Sequence, residues 1–255
     1  MTETNGLPSR TAIGTRVTVD GVDVDALCDN HLLDDVLVPL IEELASRSVG
    51  IRTFLFLVAP PGTGKSTLTA LLLDRARHLD FDAVGIDGFH YPQAHLDTHW
   101  LDTSSGPVCL NAIKGAPETF DVVNLERHLR APGTREVSWP VYDRIRHDVV
   151  EKAKPVRAGL VLVEGNWLLL DRPGWSGLSK YSVYNIFIDA EPDLLRDRLI
   201  ARKVRGGLDP LSATDFYERS DLRNIQSVLE DTDRSKVDLF LRLNIDGSID
   251  RGEAR

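Results

Sequence analysis

Apolar residues recur along this chain with two different periods. Leu33, Val36, Leu37, Leu40, Ile41 and Leu44 are three to four apart, which predicts an amphipathic helix, and Pro39 inside it predicts a kink or a break into two pieces. Elsewhere the apolar residues gather into short continuous runs: Thr53 to Ala59, Phe81 to Ile86, Leu160 to Val163, Val183 to Ile188 and Leu239 to Ile245. Runs of this kind predict strands buried on both faces, as in a parallel sheet. Helices are predicted between them, from Leu68 to about His78, from Val122 to Leu129, from Pro192 to about Arg205 and from Ser212 to about Leu229. Pro192 opens the third of these, and Gly206-Gly207 ends it. Strands alternating with helices predict an α/β fold: a doubly wound parallel sheet of about five strands with helices on both faces.

The remaining stretches are less regular. Residues 1–15 and 246–255 read as loose tails, and Arg16 to Val24 as a small hairpin around Asp20-Gly21. Pro92 to Pro117 is too long for a plain connection and reads as a functional loop or small insertion. Glu136 to Trp139 reads as a short strand ending at Pro140. The whole chain, 1–255, reads as one domain, with residues 88–150 as an acceptor-binding region and residues 192–230 as a lid and its following helix.

The first core strand runs into Ala59-Pro60-Pro61-Gly62-Thr63-Gly64-Lys65-Ser66-Thr67, and a helix follows. Strand, glycine-rich turn and helix form the setting of a phosphate-binding loop. Gly62 and Gly64 let the backbone wrap so that successive N–H groups point inward, and the helix N-terminus adds its partial positive charge. Lys65 is expected to reach the β- and γ-phosphates of ATP, and the Ser66 hydroxyl to bind Mg²⁺. Ala59 replaces the first glycine of the strict pattern, a small residue that alters the turn modestly.

Composition narrows the picture. The 255 residues are 42% hydrophobic and 27% charged, an ordinary mix for a soluble chain, and the formal net charge is −9. That balance argues against a general binder of nucleic acid or anionic membrane, while leaving room for a local basic pocket. Two cysteines, Cys28 and Cys109, make a disulfide framework improbable and the cytoplasm the expected setting. No stretch resembles a signal peptide or a membrane span. The pattern does not decide between a monomer and a homodimer.

Ligands on doubly wound sheets bind beyond the carboxyl ends of the strands. Asp87 and Glu164 both fall at such ends, beside the phosphate loop. Asp87 is placed to take a proton from a substrate hydroxyl, and Glu164 sits where a Walker-B acid would hold Mg²⁺ with Ser66. Arg198, Arg202, Lys203 and Arg205 crowd one helix. Cations of a lid closing over ATP would face the γ-phosphate, and Arg198, Arg202 and Arg205 are the candidates. His90, Lys114, Asp121, Tyr142, Arg144 and His147 are candidate substrate contacts.

These residues resemble those of the phosphoribulokinase, uridine kinase and bacterial pantothenate kinase group of P-loop small-molecule kinases. Ile86-Asp87-Gly88-Phe89-His90 resembles that group's Asp-Gly-Phe or Asp-Ser-Phe segment, whose Asp is the base. Lys114 to Asp121, Lys-Gly-Ala-Pro-Glu-Thr-Phe-Asp, is similar to a pantothenate kinase segment, and its Asp matches one that meets ribose hydroxyls in uridine kinases. Pro140-Val141-Tyr142-Asp143 with His147 resembles the uridine kinase substrate segment, and Glu164-Gly165 the Walker-B pair. Arg144 departs, standing where uridine kinases carry Phe and pantothenate kinase His. Together with Glu164 to Leu170, these segments resemble the branch known as nucleoside/nucleotide kinase family or fructose transport system kinases. The resemblance implies a P-loop NTPase fold with a substrate-binding insertion and a helical lid. It also implies an ATP- and Mg²⁺-dependent kinase acting on a small-molecule hydroxyl. A sugar or sugar-like polyol leads as acceptor. A nucleoside of the uridine or nicotinamide riboside type, or pantothenate, follows. The non-enzyme rival is a nucleotide-binding regulator, which needs no base at Asp87.

Overall fold

A computed structural model describes residues 12–19, 22–130, 133, 136–144 and 146–253. The turn expected at Asp20-Gly21 and residues 1–11 and 254–255 of the expected tails lie outside the described residues.

Period-two burial builds the centre. Strand β3 (Thr53–Val58) sends Leu55 and Leu57 to one face and Phe54, Phe56 and Val58 to the other, and both sets are buried. A strand apolar on both faces can only sit inside a sheet covered on both sides. The central sheet has six strands in the order β12-β11-β10-β3-β9-β4. β4 (Phe81–Gly85), β9 (Leu160–Gly165), β3, β10 (Ser182–Asp189) and β11 (Leu239–Leu243) run parallel, which is the expected five. β12 (Ile249–Arg251) pairs antiparallel on β11, so the expected C-terminal tail closes the sheet edge instead of hanging loose. One face is covered by α1 (Val38–Arg47), α2 (Lys65–Arg75) and α5 (Pro192–Arg205), with Leu44, Leu68, Leu72, Leu195 and Leu199 in that core. The other face holds Leu125 of α4 (Val122–Leu129), Val228 of α7 (Leu222–Asp231), Trp139, Trp167 and Trp175.

Pro39 breaks its helix as the missing N–H requires. A wider helical turn spans Leu32–Leu37, and α1 starts at Val38 with the proline in its first positions, where no donor is needed. The helix expected from Ser212 is likewise interrupted: α6 (Pro210–Phe216) passes through a wide turn at Tyr217–Asp221 into α7. At the other end of the chain, β1 (Ala12–Val19) and β2 (Val22–Asp29) form an antiparallel hairpin. Residues 12–15 of the expected tail therefore belong to β1.

The region expected to be irregular is a small insertion: α3 (Gln93–Thr98) and the hairpin of β5 (Trp100–Thr103) with β6 (Gly106–Cys109). The strand expected to stop at Pro140 does not. β7 (Val137–Asp143) runs through it and pairs with β8 (Asp148–Val156), and the register slips between Trp139 and Val141. A slip leaves that position without a ladder partner, so the proline's missing donor costs nothing there. Among the described residues no helix is long and apolar enough to cross a membrane.

Candidate active site

The sheet order places β3 between β9 and β10, so the loops leaving β3, β4 and β9 meet at the carboxyl edge of the sheet. The loop after β3 turns at Gly62 and Gly64, with φ of +88° and +93°, conformations open to glycine and costly for other residues. α2 then begins at Lys65, pointing its N-terminus into the same space. Thr63 Oγ1 donates to the Pro60 carbonyl at 2.9 Å and ties the loop across its own turn.

Lys65 folds back over this loop. Its ammonium donates to the carbonyls of Ala59 and Pro60, each at 3.1 Å, and to Asn166 Oδ1 at 2.7 Å. The stem keeps some solvent contact, but the ammonium is enclosed, and burial pushes its pKa down to about 8; Arg202 nearby adds to the fall, while Glu164 and Asp87 oppose it. Glu164 is the second anchor. It accepts from Ser66 Oγ at 2.8 Å and from Thr69 Oγ1 at 3.5 Å. One hydroxyl and one carboxylate, next to a loop built for phosphate oxygens, are the hard oxygen donors that Mg²⁺ shares with nucleotide and water. Asn166 and Thr69 were not singled out from the sequence. Asn166 lies two residues beyond Glu164, a spacing that turns both side chains the same way as the strand ends.

Asp87 starts a single 3₁₀ turn, Asp87–Phe89, directly after β4. Its carboxylate is half exposed and stands 3.7 Å from Arg144. The turn carries it against the β7–β8 hairpin, which Trp139 pins by donating to the Gly85 carbonyl at 2.9 Å. A Cβ on Gly88 would come within 2.1 Å of the Pro140 carbonyl oxygen, so only glycine allows this contact.

The hairpin and the loop before α4 gather most of the other candidates. His90 lies against Phe120, with ring centroids 3.8 Å apart, and 5.8 Å from the Tyr142 ring. Its Nδ1 meets the Asp87 carbonyl at 2.8 Å, which requires the proton on Nδ1, and burial lowers its pKa. Lys114 lies over the Tyr142 ring at 4.8 Å, and the His147 carbonyl accepts from it. His147 itself is exposed, with φ of +54°; it is its carbonyl that faces Lys114. Asp121 is occupied structurally: it caps α4 by accepting from Asn124 N–H at 3.0 Å, a role legible from an Asp just before a helix.

The cations of α5 divide. Arg198 Nε donates to the Gly62 carbonyl at 2.9 Å, and Leu199 packs against the same glycine. Burial, with Arg205 nearby, lowers the Arg198 pKa. Arg202 is close enough to Lys65 to lower its pKa, and both Arg202 and Arg205 are exposed. Lys203 pairs with Asp221 at 2.8 Å, both largely buried, and so ties α5 to the turn that leads into α7.

The sequence comparisons agree with this geometry. The chain is 43% identical over 220 residues to an uncharacterized Escherichia coli K12 protein, YggC, covering 84% of this chain and 89% of that one. It is 30% identical to a solved protein from Silicibacter sp. TM1040 named a "putative fructose transport system kinase", with a TM-score of 0.68, covering 77% of this chain and 95% of that one. It is 28% identical over 180 residues to the pantothenate kinase of Vibrio vulnificus CMCP6, covering 65% of this chain and 56% of that enzyme. No protein-family model matches the chain. The chain belongs to the P-loop kinase family of uridine kinase, pantothenate kinase and phosphoribulokinase. It is thus a small-molecule kinase, a phosphotransferase acting on a hydroxyl group. Kinases of this kind use ATP and Mg²⁺.

The depressed Lys65 pKa has a measurable consequence. Below about pH 8 the free protein carries the charged ammonium that polyphosphate prefers; above it the ammonium is increasingly neutral. Mg-ATP affinity is therefore expected to fall as pH rises through 8, by up to about tenfold per unit, with net proton uptake on binding. The sign for folding is opposite. The unfolded lysine titrates near 10.5, so the free protein gains stability as pH rises from about 8 to 10.5. Titration calorimetry in two buffers of different ionisation enthalpy reads the proton. Flat affinity from about pH 7 to about 9.5 with no proton exchanged would contradict the assignment.

Proposed function

We propose that the chain is an ATP- and Mg²⁺-dependent kinase that transfers the γ-phosphoryl group to a hydroxyl of a sugar or sugar-like polyol. In this reading the N–H groups of Gly62 to Thr67, with Ala59, Pro60 and Pro61 leading in, cradle the phosphates. Lys65 exchanges its carbonyl partners for β- and γ-phosphate oxygens. Ser66 and Glu164 hold Mg²⁺, which screens the phosphate charge. Arg198, Arg202 and Arg205 face the nucleotide from the lid. Asp87 takes the acceptor's proton as its oxygen attacks, and the β–γ bridging oxygen leaves on ADP with its electron pair. His90, Lys114, Asp121, Tyr142, Arg144 and His147 belong to the acceptor side.

One observation supports this most: Glu164, joined to Ser66 at 2.8 Å, and Asp87 close adjacent parallel strands, β9 and β4, whose residues Glu164 and Gly85 are in register. Metal ligand and base thus stand on neighbouring strand ends beside one phosphate loop, the arrangement that in-line transfer to a hydroxyl requires. A pure nucleotide binder needs the loop and the metal but not the second acid.

ADP release with Mg-ATP tests the reading across ketoses, aldoses, polyols, glycerate, uridine, nicotinamide riboside and pantothenate, with Asp87→Asn as blank. A sugar or polyol raising turnover well above the blank is the expected result. Turnover confined to a nucleoside or pantothenate would replace the acceptor, and tight Mg-ATP binding with a flat panel would favour a regulator.

A further inference from the structure

Lys114 is a held cation with no carboxylate paired to it among the described residues. Its ammonium donates to Gln93 Oε1 at 2.6 Å and to the His147 carbonyl at 3.0 Å, and lies over the Tyr142 ring. All three partners are neutral. The loop that presents it is rigid: Gly115 follows at φ +101°, and its carbonyl accepts from the Trp167 indole at 3.1 Å. Arg144 stands two residues beyond Tyr142, so both look to the Asp87–His90 turn, while Asp143 between them pairs with Arg146. Here Arg144 is 3.7 Å from Asp87.

The nearby acids have other partners: Asp97 accepts from the Gln93 side-chain amide at 2.8 Å, and two more accept from backbone donors. Asp121 accepts from Asn124 N–H, and Asp148 accepts from Gln93 N–H at 2.9 Å and Val149 N–H at 2.8 Å. Asp87 is balanced by Arg144. Among the described residues no carboxylate forms an ion pair with Lys114, although the net charge of the chain is −9. A neutral polyol has no use for a fixed ammonium that lacks a counterion; an oxyanion does.

We infer that the acceptor is a polyhydroxy compound bearing an oxyanion, a carboxylate or a phosphate, which Lys114 binds and Arg144 assists while Asp87 faces the reacting hydroxyl. This rests on the kinase reading above and names the class of acceptor within it.

The test is titration of the protein saturated with Mg²⁺ and the β,γ-imido analogue of ATP, which fills the phosphate loop and keeps anions out of it. Probes are the neutral polyols glycerol and sorbitol, the carboxylates glycerate and gluconate, and the phosphates glycerol 3-phosphate and sorbitol 6-phosphate, at low ionic strength. At least one anionic probe is expected to bind about tenfold or more tighter than its neutral parent, and the carboxylate and phosphate arms show which oxyanion is meant. Lys114→Met loses about tenfold or more of that anion's advantage over its neutral parent, while Lys114→Arg restores most of the preference. Arg144→Met reduces it further. Thermal unfolding of each variant shows that it is folded.

Neutral probes binding as well as anionic ones, an anion preference that survives Lys114→Met, or no binding of any anionic probe would each overturn the inference. The kinase reading is judged separately, by acceptor-stimulated ADP release from Mg-ATP, which a regulator lacks. An intact nucleotide site with a charge-indifferent acceptor site would sink only the anion.

Discussion

Asp87→Asn keeps Mg-ATP binding and loses turnover by about two to four orders of magnitude, the usual contribution of a positioned general base. Asparagine has the same shape and keeps the backbone carbonyl that His90 bonds at 2.8 Å, so the 3₁₀ turn is preserved. What is lost is a group able to take the hydroxyl proton, together with the charge that faces Arg144 at 3.7 Å. Asp87 also helps keep Lys65 protonated. Removing it lowers the Lys65 pKa further, and an assay near pH 8 would mix the two effects. Single-turnover measurement at about pH 7, with nucleotide affinity determined separately, isolates the base. A variant turning over at the parental rate would mean that Asp87 is not the base. Equal losses of nucleotide affinity and turnover would place it in phosphate or metal binding instead.

Gly88→Ala is expected to damage both stability and the acceptor side. The added Cβ would lie 2.1 Å from the Pro140 oxygen, 2.3 Å from its carbonyl carbon and 2.6 Å from the Val141 nitrogen. These are backbone atoms, which cannot swing aside as the end of a side chain can. The β7–β8 hairpin must move off the Asp87–Phe89 turn, or the turn must rotate. Overpacking of this kind costs about 1–3 kcal/mol, and in a domain of this size that is a fall in Tm of roughly 3–10 °C. The hairpin carries Tyr142 and Arg144, so the same movement separates them from His90 and Asp87. Acceptor KM should rise and kcat fall, with Mg-ATP affinity nearly unchanged because the phosphate loop leaves a different strand. Thermal unfolding within about a degree of the parent, with unchanged acceptor kinetics, would show that the contact yields cheaply.

Much of the nucleotide half of this site could be read from local pattern. Runs apolar at every position, such as Phe54 to Val58 and Leu160 to Val163, can be satisfied only inside a doubly covered sheet. A strand leading to Gly62, Gly64, Lys65 and Ser66 constrains backbone and charge within a dozen residues. Strand ends then bring Asp87 and Glu164 near that loop through topology alone. Pro39 and Pro192 act through their own missing donors, so their effects were legible too.

Tertiary structure decided whatever depends on residues distant in sequence. Asn166 is a partner of Lys65 across 101 positions, and Glu164 of Ser66 across 98. Lys203 was indistinguishable from its arginine neighbours until Asp221 appeared beside it. Pro140 read as a strand end because a proline removes a ladder donor, but the register slip in β7–β8 makes that donor unnecessary, and local propensity carries no record of such a slip. Gly88 gave no conformational sign of its importance; its role comes from the close approach of Pro140, 52 residues on. The chain alone determined the sheet, the phosphate loop and the two acids, because those follow from period, backbone freedom and strand ends. Only the folded molecule decided which cations are paired with carboxylates, because that depends on which carboxylates come within reach of them.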